Sequence, residues 1–179
     1  MFYGEIKKFD IADGEGVRVS VFVSGCKNHC KGCFQSQTWD FNYGKEFTID
    51  TVNEVLEALA KPFVQGLTIL GGEPFEVENQ PDVLELIQIV RAKFPQKDIW
   101  CFTGYVLETD LLPDYGRRHT QWTDEILHSI DVLVDGPFIE EKKDLQLAFR
   151  GSSNQRIIKM KDFWAEREKA KGLPGQAGQ

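Results

Sequence analysis

The chain is predicted to fold as an α/β protein, a partial, open βα barrel with a mostly parallel sheet, and three observations lead there. Short β-branched, apolar runs alternate with amphipathic helical periods, the pattern of parallel strands joined by helical crossovers. The chain has 179 residues, whereas a closed eight-unit barrel takes about 250, so only part of one fits and an open side is left for a large substrate. Two glycine-bearing loops follow directly on strands, and the carboxyl ends of strands are where such sheets bind ligands.

Residues 3–9 read as a short edge strand, and 10–16 as a loop by their Gly and Asp content. Residues 17–23, Val-Arg-Val-Ser-Val-Phe-Val, form the first clear strand and lead straight into Gly25 and Cys26. Over 48–61, Val52, Val55, Leu56 and Leu59 share one helical stripe, Thr48 or Asp50 can cap it, and Pro62 stops it. Residues 66–70 are a short buried strand that runs into Gly71, Gly72, Glu73 and Pro74. A second helix is predicted over 81–94, with Leu84, Ile87 and Val90 inward and Pro95 closing it. Strand 98–103, helix 123–129 and strand 131–135 continue the alternation. Beyond them, 137–147 is expected as a short mixed-charge helix, 150–155 as a polar loop and 156–160 as a last strand. Residues 161–171 suit a charged helix, and 172–179 a frayed tail.

The chemistry centres on Cys26, Cys30 and Cys33, three of the four cysteines, spaced C-x3-C-x2-C. So few intervening residues cannot make a regular element, and Gly32 permits a tight bend, so the thiols can converge from one loop. Thiolates select zinc, copper(I) or iron-sulfur clusters. Three local ligands without a fourth leave a coordination position open, which suits a reactive site. Taken alone the run leaves structural zinc and an iron-sulfur cluster equally open. Cys101, mid-strand between Trp100 and Phe102, reads as a buried, inert thiol; it or His29 is the candidate fourth ligand of a zinc-binding module. Lys27, His29 and Lys31 either rim the thiols or form a solvated polar loop. The turn at Gly71, Gly72 and Glu73 by itself reads as a tight turn with Glu73 in solvent; joined to the cysteine run, it reads as one that lets a ligand approach the backbone and offers a carboxylate to an ammonium group.

With 41% hydrophobic residues the chain can bury a globular core. It has no apolar run long enough to span a membrane, and a formal charge of −7 argues against general nucleic-acid binding. The opening residues show no basic and apolar leader, which points to a reducing cytoplasm rather than a disulfide framework.

The strand followed by C-x3-C-x2-C, and the next strand followed by a Gly-Gly-Glu-Pro turn, resemble the radical S-adenosylmethionine (SAM) enzymes. The resemblance implies a radical SAM type of barrel and a 4Fe-4S cluster on Cys26, Cys30 and Cys33, with its unique iron chelated by the amino and carboxylate groups of SAM. It also implies that Gly71, Gly72 and Glu73 meet the SAM amino group and that Gly32, Cys33 and Phe34 lie against its adenosine, with Thr103 a further contact. Many members carry an aromatic residue just before the third cysteine; here that place is Gly32 and the aromatic Phe34 follows. That shift, with residues 23–26, 33–39, 98–100, 103–105, 131–136 and 150–155, is similar to the activating proteins of anaerobic ribonucleoside-triphosphate reductase. On that resemblance residues 1–160 are the radical SAM domain and 161–179 a C-terminal extension. A reduced cluster would split SAM into methionine and a 5'-deoxyadenosyl radical, which takes a glycine α-hydrogen from the reductase; an electron donor such as flavodoxin is implied. The alternatives are a small-molecule radical SAM enzyme, such as a 7-carboxy-7-deazaguanine synthase-like protein, and the zinc-binding module.

Overall fold

A computed structural model describes residues 1–113 and 116–172. Seven strands form one sheet in the order β3-β1-β2-β4-β5-β6-β7. They are β1 (Phe2–Asp10), β2 (Val17–Val23), β3 (Lys45–Glu46), β4 (Val64–Gly71), β5 (Asp98–Phe102), β6 (Val132–Asp135) and β7 (Arg156–Lys159). Helices α1 (Ile49–Leu59), α2 (Gln80–Lys93) and α3 (Thr123–Ser129) join the central strands, and α4 (Met160–Gly172) ends the described chain. The mixed α/β class holds, and the parallel part is its centre. The ladders β2·β4, β4·β5 and β5·β6 are parallel, whereas β1 and β7 join antiparallel and β3 pairs antiparallel outside β1. Residues 3–9 are therefore one strand in from the edge.

Side chains alternate across the sheet. Val19, Val21, Leu67, Ile69, Ile99, Cys101 and Leu133 form one cluster with the apolar faces of α1, α2 and α3. On α1, Val52, Val55, Leu56 and Leu59 are all buried, as the stripe predicts, each such side chain contributing roughly 1.5–3 kcal/mol. Thr48 starts the helix, its N–H donating to Thr51 Oγ1 at 3.2 Å. The opposite sheet face carries Ser20, Phe22, Thr68, Leu70, Trp100 and Phe102, in register across the strands. Because helices cover one face, the other is free to line a cavity.

The amino-terminal end of that second face is sealed by Arg18, which is fully buried. Its guanidinium donates to Thr68 Oγ1 at 2.7 Å and Leu67 O at 2.8 Å, pairs with Asp98 at 2.7 Å and lies over the Trp100 ring. An unpaired charge there would cost roughly 3–5 kcal/mol.

The expected helix over 137–147 is not formed. It shrinks to a 3-10 turn, Glu140–Lys142, because Lys143 bridges antiparallel to Ser152 and Glu140 turns to Lys31 on the cysteine loop. The charged helix expected over 161–171 is present as the body of α4, and its first turns are not purely solvated: Met160 is buried and Trp164 stacks on His128 at 4.1 Å. The tail expected over 172–179 lies, from residue 173, outside the described residues. Among the described residues no helix is long and apolar enough to cross a membrane.

Candidate metal centre and ligand cavity

Strand β2 ends in Ser24 and Gly25, and the cysteine loop that follows is tied back to the protein at several points. Gly25 N–H donates to Thr38 O at 2.8 Å and Cys26 N–H to Trp39 O at 3.2 Å, closing the loop at its base. The turn after β4 is stitched to it. Gly72 N–H donates to Val23 O at 2.7 Å and Glu73 N–H to Gly25 O at 2.9 Å, while Asn79 Nδ2 reaches both Ser24 O and Glu73 O at 3.0 Å. Cysteine loop and glycine turn therefore form one rigid unit at the carboxyl ends of adjacent parallel strands.

The two glycines of that turn are required by this contact. Gly71 has φ +107°, and a Cβ on it would lie 2.7 Å from Val23 N and O; on Gly72 it would lie 2.7 Å from Gly25 O and 2.9 Å from Thr38 O. The glycine at 72 thus admits the neighbouring loop.

Cys26, Cys30, Cys33, Phe34, Gly71, Gly72, Glu73 and Thr103 all line a single cavity of about 500 Å³, a size that suits a small-molecule ligand. Gly32 is the exception among the expected site residues: its Cα faces the Glu140 carboxylate, which a Cβ would meet at 2.9 Å. Burial pushes the Cys26 thiol up to about 12, against hydrogen bonds from the backbone N–H groups of Asn28 and His29. Burial also raises Cys30, whose sulfur accepts from the Phe138 N–H. These thiols are protonated at neutral pH, so holding a metal releases protons.

Glu73, expected in solvent if the turn were merely structural, is fully buried. Its Oε1 accepts from Phe75 N–H at 2.9 Å and Thr103 Oγ1 at 2.7 Å, and its Oε2 from Gly104 N–H at 2.7 Å. Burial raises its pKa to about 7 despite these donors. Such a carboxylate, fixed and desolvated, is suited to an ammonium group.

The loop cations do not make a bare basic rim. Lys31 pairs with Glu140 at 3.1 Å, Lys27 with Glu78, and His29 stacks on Trp39 at 4.6 Å. Neither candidate fourth zinc ligand reaches the cavity. Cys101 is fully buried on the helical face and His29 is held by Trp39. Among the described residues no three Cys, His, Asp or Glu side chains are gathered as one ion would need. Cys26, Cys30 and Cys33 nevertheless all line the one cavity, so a group bound there has three thiols on its wall.

Sequence reasoning missed much of the remaining wall. Lys7, Asp13, Phe138, Leu145, Leu147 and Phe149 line it too. It also missed Glu76, fully buried, which accepts from Lys27 N–H and Tyr105 OH at 2.7 Å each and so anchors the residue after Cys26. Within 150–155, Asn154 Nδ2 donates to Pro137 O at 2.8 Å and Gln155 Nε2 to Gly136 O at 3.0 Å, while Arg150, Gly151 and Gln155 line the cavity. Asp135 is likewise structural, accepting from Leu107 N–H and Arg156.

Comparison with known proteins gives the class: the family described as a 4Fe-4S single cluster domain matches residues 12–158. An activating protein of anaerobic ribonucleoside-triphosphate reductase from Enterobacteria phage T4 is 38% identical over 157 residues, covering 88% of this chain and 93% of the relative. That of Escherichia coli K12 is 40% identical over 159 residues, 88% and 97% of the two chains; that of Pasteurella multocida is 37% identical over 165 residues, 91% and 100%. The chain belongs to the family of anaerobic ribonucleoside-triphosphate reductase-activating proteins.

Proposed function

We propose that this protein is a radical SAM activase that installs a glycyl radical on an anaerobic ribonucleoside-triphosphate reductase. The observation that carries the reading is that three thiols and the Gly71–Glu73 turn line one cavity, in a chain whose relatives are named as activators of that reductase. Cys26, Cys30 and Cys33 would hold a 4Fe-4S cluster, and Glu73, Gly71, Gly72 and Thr103 would take the amino end of SAM. Phe34 and Cys33, which line the same cavity, would lie against the adenosine, and Gly32 would serve by letting Glu140 close on the loop. A reduced cluster held by these cysteines would supply one electron for reductive cleavage of SAM, the source of the radical that would take hydrogen from a glycine α-carbon of the reductase.

This chain's part is to place and enclose. Glu73 is oriented by three donors and does not rotate away from its ligand. The apolar walls Phe22, Leu70, Phe102 and Phe149 keep water from the reacting end. Strands β2, β4, β5 and β6 follow one another in chain order with the helices packed on one face, which supports a part of a βα barrel open at its side. The open side suits a peptide segment of the reductase. In this reading residues 1–160 are the radical SAM domain and 161–179 an extension, the protein works in the cytoplasm, and a flavodoxin-like donor reduces it.

Anaerobic reconstitution tests the reading. The protein is expected to bind four irons and four sulfides per chain, to lose them in air because one iron stays open, and to form methionine and 5'-deoxyadenosine from SAM under reduction. Zinc bound without sulfide would overturn it.

A further inference from the structure

We propose that Asn28, a spacer residue of the cysteine loop, binds the carboxylate of the methionyl end of SAM through its side-chain amide, beside the Glu73 carboxylate that takes the amino group. The inference rests on the function proposed above and deepens it by assigning a second polar contact to the same ligand.

Asn28 lines the cavity, and its Nδ2 is buried without a hydrogen-bond partner. A buried amide donor left unpaired is costly, and a binding site retains one where a ligand supplies the acceptor. The amide sits against Gly104: a Cβ there would lie 2.5 Å from Asn28 Nδ2 and 3.5 Å from Glu73 Oε2. Donor and carboxylate therefore flank the same point. Both are held in place, Glu73 by Gly104 N–H at 2.7 Å and Asn28 by its own N–H, which points at the Cys26 sulfur. An α-amino acid end carries an amino group and a carboxylate on one carbon, so it calls for an acceptor and a donor side by side. Glu73 and Asn28 are such a pair.

The test uses the full chain, reconstituted anaerobically, as wild type, Asn28→Ala and Asn28→Asp. Iron and sulfide are counted, and calorimetry measures affinity for SAM and for its decarboxylated analogue. Cluster content is expected to be unchanged. SAM should bind about 10- to 100-fold more weakly to Asn28→Ala, the loss of one charge-assisted hydrogen bond, and more weakly still to Asn28→Asp. The analogue should bind wild type and Asn28→Ala within about threefold of each other, there being no carboxylate to lose.

Unchanged SAM affinity in Asn28→Ala would overturn the assignment, and a shifted cluster potential alongside it would give the donor to a cluster sulfur instead. Loss of iron would also overturn it, by making Asn28 part of the cluster cradle. Should Asn28→Ala fail to fold, Gly104→Ala displaces the same amide with a methyl group and is expected to show the same selective loss; full SAM affinity there overturns the assignment. A wild type that holds no cluster or no SAM sinks the proposed function, whereas a wild type that binds SAM no better than Asn28→Ala does sinks only this inference.

Discussion

Replacing Cys26, Cys30 or Cys33 by alanine, one at a time, is expected to abolish SAM cleavage while the fold persists, and Cys101→Ser is expected to keep most of it. The first three side chains line the cavity, whereas Cys101 lies at zero exposure among the residues that pack on the helices. Loss of an outer-shell partner already costs about 10- to 100-fold in metal affinity, so loss of a ligand should reduce turnover by more than about 100-fold. The serine hydroxyl at 101 can donate to the Phe102 carbonyl that the thiol now approaches at 4.0 Å, which limits the damage to stability. Iron content, circular dichroism and 5'-deoxyadenosine yield together check this. A cluster lost in Cys101→Ser alone would make the ligand assignment wrong.

The second large effect is expected at Gly72. The sequence suggests a branched side chain there would obstruct the ligand and spare the cluster. The geometry redirects that expectation, because the new Cβ would press on Gly25 O and Thr38 O, the carbonyls that fix the base of the cysteine loop. Forcing atoms into backbone of this kind costs about 1–3 kcal/mol or more. Gly72→Val should therefore lose iron and SAM affinity together, several-fold each, as read by iron analysis and calorimetry on the same sample. A variant with four irons per chain and only SAM binding impaired would restore the ligand-facing role.

What the sequence could and could not disclose follows from the range of the forces involved. Strands β2 and β4 and the loops after them were legible, since period, β-branching and short-range spacing are local properties. So was the inward stripe of α1. Arg18 was not: in an apolar run it reads as one polar interruption, and only the distant Asp98, Leu67 and Thr68 make its burial tolerable. Residues 137–147 show the opposite failure. Their mixed charges suit a helix by spacing, yet Lys31 and the cysteine loop claim Glu140, and the Ser152 bridge claims Lys143. The antiparallel direction of β7 was hidden for the same reason, because nothing local distinguishes a strand that returns by a loop from one reached by a helical crossover. Most of the candidate site was legible because its motifs are contiguous. Asn28 and Glu76 were not, because their importance lies in what faces them across the cavity and the turn.

The central claim is most directly tested by electron paramagnetic resonance. The reconstituted protein, reduced and mixed with SAM and an anaerobic ribonucleoside-triphosphate reductase, is predicted to give the doublet of a glycyl radical coupled to its one α-hydrogen, dependent on all three cavity cysteines. A reductase that stays diamagnetic, with SAM cleaved only when a small heterocycle is added, would contradict it.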